Sequence, residues 1–407
     1  MKILIYCGLA IYFAFYLFEG PIRYGFNIIG ADYLIFIRDL VLISLIILLI
    51  LIKQSDYKIS YKPFLIFAII IFVHGFVSFV NLRNSFIIFY CIKLFFSGLA
   101  GAVLSPYIIN PPHKVVKAVF ILWLITIAGV FLDKYFIEYP WTGLATTIGD
   151  VQVDISHNWE ISGADKRAAG FMRSSINVAI IVPMLAFMLM LNARSFAARM
   201  GIMVMTMLTV YWSTQKASII AFALVGLLLI AAYRHKAAAL KIGISFGLIL
   251  AVTLPVILPH FIMPSTEGMF SLNTFYMRVE EMWPKAWKLI ESRELFPFGI
   301  GLGGISGAQR FYDQYEANAA DNMFVFMYAF FGVLSFIYIG WLWWVSMRVS
   351  NKGAPATIYA LSIVMFISFY GVALSMLEDQ MVTLFLGAAA VWIAKNKSSA
   401  AALSDAR

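Results

Sequence analysis

The sequence predicts an all-α polytopic membrane protein, and three observations lead there. Apolar residues fill 62% of the 407 positions, charged residues only 13%, and the mean hydropathy is +0.88. A water-soluble chain of this length could not cover so much apolar surface. The apolar residues gather in runs close to the roughly 20 helical residues that cross about 30 Å of hydrocarbon. Within those runs they are continuous and do not alternate, which selects helices over barrel strands.

About twelve transmembrane helices are expected, at 3–18, 31–52, 63–80, 85–109, 115–132, 176–191, 200–213, 217–233, 240–258, 322–346, 356–376 and 380–394. The runs 3–18 and 200–213 are short, so ten or eleven also fit. No composition shift or strong repeat divides the chain, which reads as a single integral membrane domain over 1–407. Two long polar loops interrupt it, 133–175 and 259–321.

The first run lacks a small-x-small cleavage site before Glu19-Gly20-Pro21 and reads as a retained helix, not a signal peptide. In the second, Arg38 and Asp39 are adjacent, so they are expected to point apart and to need partners on other helices. His74 in the third reads as a hydrogen-bonded core residue, and Lys93 in the fourth as a charge that is costly if unpaired. Gly98 and Gly101 in the fourth run, and Gly243 and Gly247 in the ninth, read as packing contacts. Cys7 and Cys91 both lie in apolar runs, which argues against a disulfide or metal role. His157 has no second histidine at ligand spacing, so neither a metal nor another cofactor is expected.

Charge placement orients the bundle. One set of connections carries 16 lysines and arginines against only Asp56 and Asp405; the other carries 12 against 17 carboxylates. Cation-rich short loops face the cytoplasm, so both termini are expected inside and both long loops outside. In a bacterium that is an inner-membrane protein working at its periplasmic face. The cations are topology determinants beside membrane lipids and call for no nucleic-acid partner.

The chemistry is sought in the two loops. Gly299-Ile300-Gly301-Leu302-Gly303-Gly304 satisfies GxGxxG, but it lies in an external loop without a βαβ unit. It reads as a tight turn that brings backbone close to another element or to substrate. In the first loop, Arg167 and Arg173 are six residues apart and suit bidentate binding of a phosphate or diphosphate. Headgroup snorkelling is the plainer alternative, weighing equally for Arg173 and less for Arg167, which Gly170 follows. Asn177 enters the membrane with a polar amide and needs a partner.

In the second loop, Met282, Trp283, Ala286, Trp287 and Leu289 fall at helical spacing, with Pro284 in a first turn. They predict an amphipathic helix on the membrane surface with tryptophan at headgroup depth. Arg278, just before it, is a third anion-binding candidate; the alternative is a solvated charge paired with Glu280 or Glu281. Asp321, entering the tenth helix, is either a helix cap or a base whose pKa the membrane raises. Lys216 lies between the seventh and eighth runs.

In order, Arg167-x-x-Gly170 with Asn177, Ser213-Thr214-Gln215-Lys216-Ala217-Ser218, Arg278 with Trp283 and Ala286, Pro297-Phe298-Gly299-Ile300-Gly301, and Asp321-Asn322 ahead of Phe331-Gly332 form a familiar set, which Arg293 with Gly304 also joins. The chain resembles the bacterial O-antigen polymerase and O-antigen ligase superfamily over about 167–332. It departs where the ligases carry His-Asn and this chain has Asp321-Asn322, and where Lys216 replaces an arginine.

The resemblance implies a GT-C-like helical bundle performing inverting glycosyl transfer without a metal. The donor would be a glycan on polyprenyl diphosphate, the acceptor a sugar hydroxyl on a second lipid-linked repeat unit. It implies Asp321, Arg167 and Arg278 as catalytic residues, with Arg173, Asn177, Lys216, Arg293 and Asn322 binding substrate. A chain-length regulator and a flippase of the same pathway are the partners it suggests. A ligase is the sibling reading. A lipid-linked oligosaccharide flippase is the reading from another class, disfavoured because few charges lie within the membrane runs and no repeat of halves is evident.

Overall fold

A computed structural model describes residues 2–51, 62–148, 151–156, 166–231, 235–261, 272–292, 296–313, 317–351 and 353–404. Arg293, His157 and Glu316, the last a carboxylate near Asp321 that is an alternative proton acceptor by position, lie outside the described residues.

The chain is mostly helical. In order come α1 (Lys2–Leu17), α2 (Glu19–Ile28), α3 (Ile37–Leu51), α4 (Lys62–Leu82), α5 (Ser85–Ile109) and α6 (His113–Tyr135), then strands β1 (Ala145–Ile148) and β2 (Val151–Asp154). After them follow α7 (Ser175–Asn192), α8 (Phe196–Trp212), α9 (Lys216–Ile230), α10 (Lys236–Ile257), α11 (Asn273–Met277), α12 (Trp283–Ser292), α13 (Met323–Phe331), α14 (Leu334–Met347), α15 (Pro355–Tyr370) and α16 (Gln380–Ser404). Among the described residues, six helices are long and apolar enough to cross a membrane, or up to seven if the bent pair α1–α2 is one span. This is a helical membrane protein.

Several expected spans are shorter or broken. The first run ends at Phe18, where α1 and α2 meet at 79°. The run 322–346 is divided by Gly332, which at φ +56 takes a left-handed conformation that ends α13. α8, α9, α14 and α15 are apolar helices of 14–17 residues.

The chain forms two units. The first comprises Met1–Ile59 and Leu104–Arg234. α7 is its centre: 14 of its residues are buried and no polar stripe runs along it, as expected of a helix packed on every side. The first long loop is folded onto this unit. β1 and β2 pair as an antiparallel hairpin, strands that apolar periodicity alone did not suggest. Tyr139 stacks on Trp141 with ring centroids 4.5 Å apart, and with Ile155 and Phe171 they form a small apolar core. The Gly20 N–H, at the α1–α2 break, donates to the Phe171 carbonyl at 3.0 Å.

Charge is buried here too. Arg23 reaches Glu19 at 2.6 Å, Arg38 reaches the same carboxylate at 3.4 Å, and the Arg38 guanidinium lies 5.0 Å from the Tyr16 ring centroid. Arg38 finds its partner off its own helix, as expected. It does not point away from Asp39, however: Nε lies 3.7 Å from that carboxylate, because a long flexible side chain can curl back where helical geometry separates the Cβ atoms.

The second unit comprises Ser60–Val103 and His235–Arg407. Small residues set its helix contacts. A Cβ on Gly243 would meet Met365 of α15 at 2.6 Å, and one on Gly247 would meet Ser368 at 3.0 Å. Gly98 and Gly101 of α5 face the α16 backbone at Thr383 and Leu384. His74 Nε2 is 2.9 Å from the Tyr338 hydroxyl, a hydrogen bond between α4 and α14.

The glycine-rich turn approaches protein backbone closely. Gly299, Gly301 and Gly303 have φ of +72, +98 and +85. The Ile300 N–H donates to Ala329 of α13 at 2.7 Å, while Ser78 and Asn81 of α4 donate to the carbonyls of Leu302 and Ile300 at 2.7 and 2.8 Å. The turn is thus hydrogen-bonded to two helices.

A Cβ on Gly301 would lie 2.6 Å from Ser78 Cα, in a left-handed conformation that already strains alanine by about 1–3 kcal/mol. Gly301→Ala should therefore lower the melting temperature in detergent sharply. Gly201→Ala, in α8 with nothing within 4 Å of the added methyl, should leave it unchanged or raise it.

Candidate functional site

The candidate site of the second unit is built where three irregular segments meet. Arg278 opens a π-helical turn, Arg278–Met282, between α11 and α12. Such wide turns re-aim a side chain by inserting an extra residue. Arg278 binds Asp321 at 2.8 Å, with about a fifth of each side chain accessible. Arg278 is therefore paired with neither Glu280 nor Glu281, the partners its sequence neighbourhood offered.

Asp321 does not cap the helix. Asn322 does, accepting hydrogen bonds from the N–H groups of Phe324 and Val325 at 2.8 and 3.0 Å. The Asn322 amide donates to Ala251 and Val372 carbonyls, both at 3.1 Å, so its observed role is holding α13 to α10 and to the end of α15. Ala320 and Asp321 have positive φ of +60 and +40, unusual for side chains with a Cβ. Such strain collects at functional sites, where surrounding bonds must hold it. Burial pushes the Asp321 carboxyl above its usual range, and the charge and hydrogen bond of Arg278 pull it partly back.

Asn318 supplies much of the holding. Its amide donates to Met282 O at 2.7 Å and its side-chain oxygen accepts from Ala320 N at 2.8 Å, while its N–H donates to Gln309 Oε1 at 3.0 Å. The Ser306 and Ser375 hydroxyls both donate to Ala319 O, at 3.0 and 2.7 Å. Ser306 also has positive φ, +73.

Glu378 belongs to this cluster, and the sequence did not single it out. The Gly307 N–H donates to its Oε1 at 2.9 Å, and the Ser306 hydroxyl, Asp321 and Arg310 all act on its charge. The residue lies at the protein surface. Dense surrounding protein still pushes the carboxyl up to about 7, with Asp321 adding to the rise and Ser306, Gly307 and Arg310 opposing it. No local motif marks Glu378. Its partner Gly307 is 71 residues away, and only a carboxylate beginning the Glu378-Asp379 pair before an apolar run could have drawn attention.

The amphipathic helix is present as α12, but its apolar face is turned into protein. Trp283, Ala286 and Ile290 are buried, and Trp287 donates to Pro255 O at 3.0 Å while packing on Phe324 and Tyr328. Protein thus takes the place expected for membrane headgroups. Burying a tryptophan side chain against apolar neighbours is worth several kcal/mol, so a ready protein surface competes well with an interface.

The first unit holds the other candidates. Asp133 of α6 organises the Arg167 segment: its Oδ2 accepts from the N–H groups of Ala169 and Gly170 at 2.8 and 2.9 Å, and Lys166 Nζ is 2.7 Å from Oδ1. Gly170, with φ +61, makes its close approach to the α6 backbone at Gly129 and Val130. The Ala168 N–H donates to Trp212 O at 3.2 Å, which brings half-buried Arg167 beside the turn that ends in exposed Lys216. Arg173 acts electrostatically on Glu19 and Arg23. Asn177 has its expected partners: Ser174 at its oxygen and the Tyr16 hydroxyl 3.4 Å from its nitrogen.

Arg167, Arg173, Asn177 and Lys216 thus belong to one unit, and Arg278, Asp321 and Asn322 to the other. No group of three or more metal-ligating side chains occurs among the described residues. No protein-family model, curated protein or solved structure matches the chain.

The capping assignment is checked by melting temperature. Asn322→Ala removes the cap and two bonds to neighbouring carbonyls and should cost about 2–4 kcal/mol. Asp321→Asn leaves the cap intact and should shift the melting temperature by much less.

Proposed function

We propose that this protein is a polysaccharide polymerase that joins polyprenyl-diphosphate-linked repeat units by inverting, metal-independent glycosyl transfer at the periplasmic face of a bacterial inner membrane. The observation that carries the reading is the Arg278–Asp321 pair, 2.8 Å apart on strained backbone beside a second carboxylate, Glu378. Departure of a lipid diphosphate needs fixed positive charge, and transfer to a hydroxyl needs a proton acceptor. This cluster offers both.

The resemblance to the O-antigen polymerase and ligase superfamily supports the same chemistry. Asp321 in place of a ligase histidine favours polymerisation over transfer to a lipid A-core acceptor. Arg278 stabilises the charge growing on the leaving diphosphate. In the first unit, Arg167, Arg173 and Lys216 suit a polyanionic headgroup, with Asn177 near them in sequence. A reaction between two lipid diphosphates has use for more than one cationic surface. The twelve-span arrangement, with both termini cytoplasmic, follows from charge asymmetry and belongs to the same proposal.

Arg167→Ala and Arg278→Ala should each abolish polymer while the protein is still made. Lysine at either position should restore little, because the planar fork is lost. The measurement is glycan length on the lipid carrier in a deletion strain carrying each variant. A single accumulated repeat unit supports the reading, full-length polymer left on its carrier indicates a ligase, and normal polymer from both alanine variants overturns the arginine assignments.

Orientation is checked by thiol labelling after Cys7 and Cys91 are replaced by serine. Thr147→Cys should react with a membrane-impermeant maleimide added from the periplasmic side, and Ser350→Cys should not. The reverse pattern would invert the topology.

A further inference from the structure

We infer that Glu378 takes the proton from the acceptor hydroxyl, and that Asp321 is a positioning residue that holds Arg278 for the departing diphosphate. The assignment rests on the polymerase reading above and moves to Glu378 the base role that the sequence reading had offered to Asp321.

The geometry separates the two carboxylates. Asp321 Oδ2 is committed to Arg278 Nη2 at 2.8 Å, and less than a fifth of the Asp321 side chain is accessible. A carboxylate in a close ion pair can accept a proton only by weakening its partner's hold. Among the described residues, Glu378 has no cation within salt-bridge distance. Its backbone bond from Gly307 N–H at 2.9 Å fixes one oxygen and spares a flexible side chain from wandering, while the exposed carboxylate stays reachable by substrate.

The surroundings of Glu378 are well defined. From the 306–311 turn it meets the Ser306 hydroxyl, the Gly307 N–H and the charge of Arg310. Asp321 acts on it from the irregular segment entering α13, bringing Arg278 behind it. From α5, Cys91 feels its charge, and the Tyr90 hydroxyl lies near Gly307. Its neighbour Asp379 is occupied elsewhere: Oδ1 accepts from Met381 and Val382 N–H at 2.7 and 3.2 Å and caps α16. Among the described residues, that leaves Glu378 as the open carboxylate of the cluster. Two nearby carboxylates in different environments are a common division of acid–base labour. A group pushed up to about 7 is half ionised at neutral pH, where a base both exists unprotonated and binds protons strongly.

In the step itself, an oxygen lone pair of the acceptor hydroxyl forms the new bond to the anomeric carbon. The anomeric C–O bond to the diphosphate breaks, and its electron pair leaves with the diphosphate oxygen, opposite Arg278. The hydroxyl proton passes to Glu378 and then to water. The products are one longer lipid-linked glycan and one free polyprenyl diphosphate.

The test uses purified full-length protein in detergent and the polyprenyl-diphosphate glycolipid that accumulates in cells deleted for this chain. Wild type should elongate that glycolipid, with a rate that falls about tenfold per pH unit below about 7 as the base is protonated. Glu378→Gln should lower kcat by ~100-fold or more, leave KM nearly unchanged and abolish the acidic limb. Glu378→Asp should keep the limb and recover part of the rate, which separates a lost carboxylate from a misfolded site. Asp321→Asn should keep the limb while raising KM, since Arg278 loses its anchor.

Turnover by Glu378→Gln within threefold of wild type, or an acidic limb lost in Asp321→Asn and kept in Glu378→Gln, overturns the assignment alone. Failure of wild type to elongate the glycolipid overturns the polymerase reading and the assignment with it.

Discussion

The second unit depends on one close contact: the glycine-rich turn at 299–304, hydrogen-bonded through backbone to α13 on one side and to the Ser78 and Asn81 side chains of α4 on the other. In an apolar chain, peptide groups outside helices have few water molecules to satisfy them, and each buried orphan costs about 1–3 kcal/mol. The turn meets that demand with carbonyls and hydroxyls that helices alone would leave unused. The carboxylate cluster that Arg278 joins follows it in sequence: the Ser306–Phe311 turn that binds Glu378, then Asn318, then Asp321. Remove the close approach, and these groups have no common frame.

The fold was legible in part. Continuous apolar runs announced helices and their order, and small residues at Gly98, Gly101, Gly243 and Gly247 announced close packing, because both signals are local. The breaks were not. Nothing in hydropathy shows that a helix, α2, follows the first run at a 79° bend or that Gly332 divides α13 from α14. The β1–β2 hairpin was missed because Ala145-Thr146-Thr147-Ile148 has no strong apolar alternation and is stabilised by pairing and by the loop core around Trp141.

The site shows the same division. Arg278 and Asp321 were visible as charges beside apolar runs, and the structure joins them. Asp321 was a plausible cap by position, but the shorter reach of Asn322 to Phe324 and Val325 takes that role. Trp283 and Trp287 looked like headgroup anchors because amphipathicity reports only that a face is apolar, never whether lipid or protein covers it. Glu378 was invisible for a different reason. Its significance depends on partners far along the chain and on crowding, and neither leaves a mark in local sequence.

The second unit is discontinuous, and that bears on how the protein is made. Ser78 and Asn81 emerge early in synthesis, yet the carbonyls they bind at Leu302 and Ile300 follow 224 and 219 residues later. A whole stretch belonging to the other unit, Leu104–Arg234, is threaded into the bilayer in between. Contacts of such sequence separation close slowly. α4 therefore waits in the membrane as an unfinished surface until the 299–304 turn has been synthesised. A chain stopped before that turn would strand an inserted α4 without the carbonyls that Ser78 and Asn81 bind.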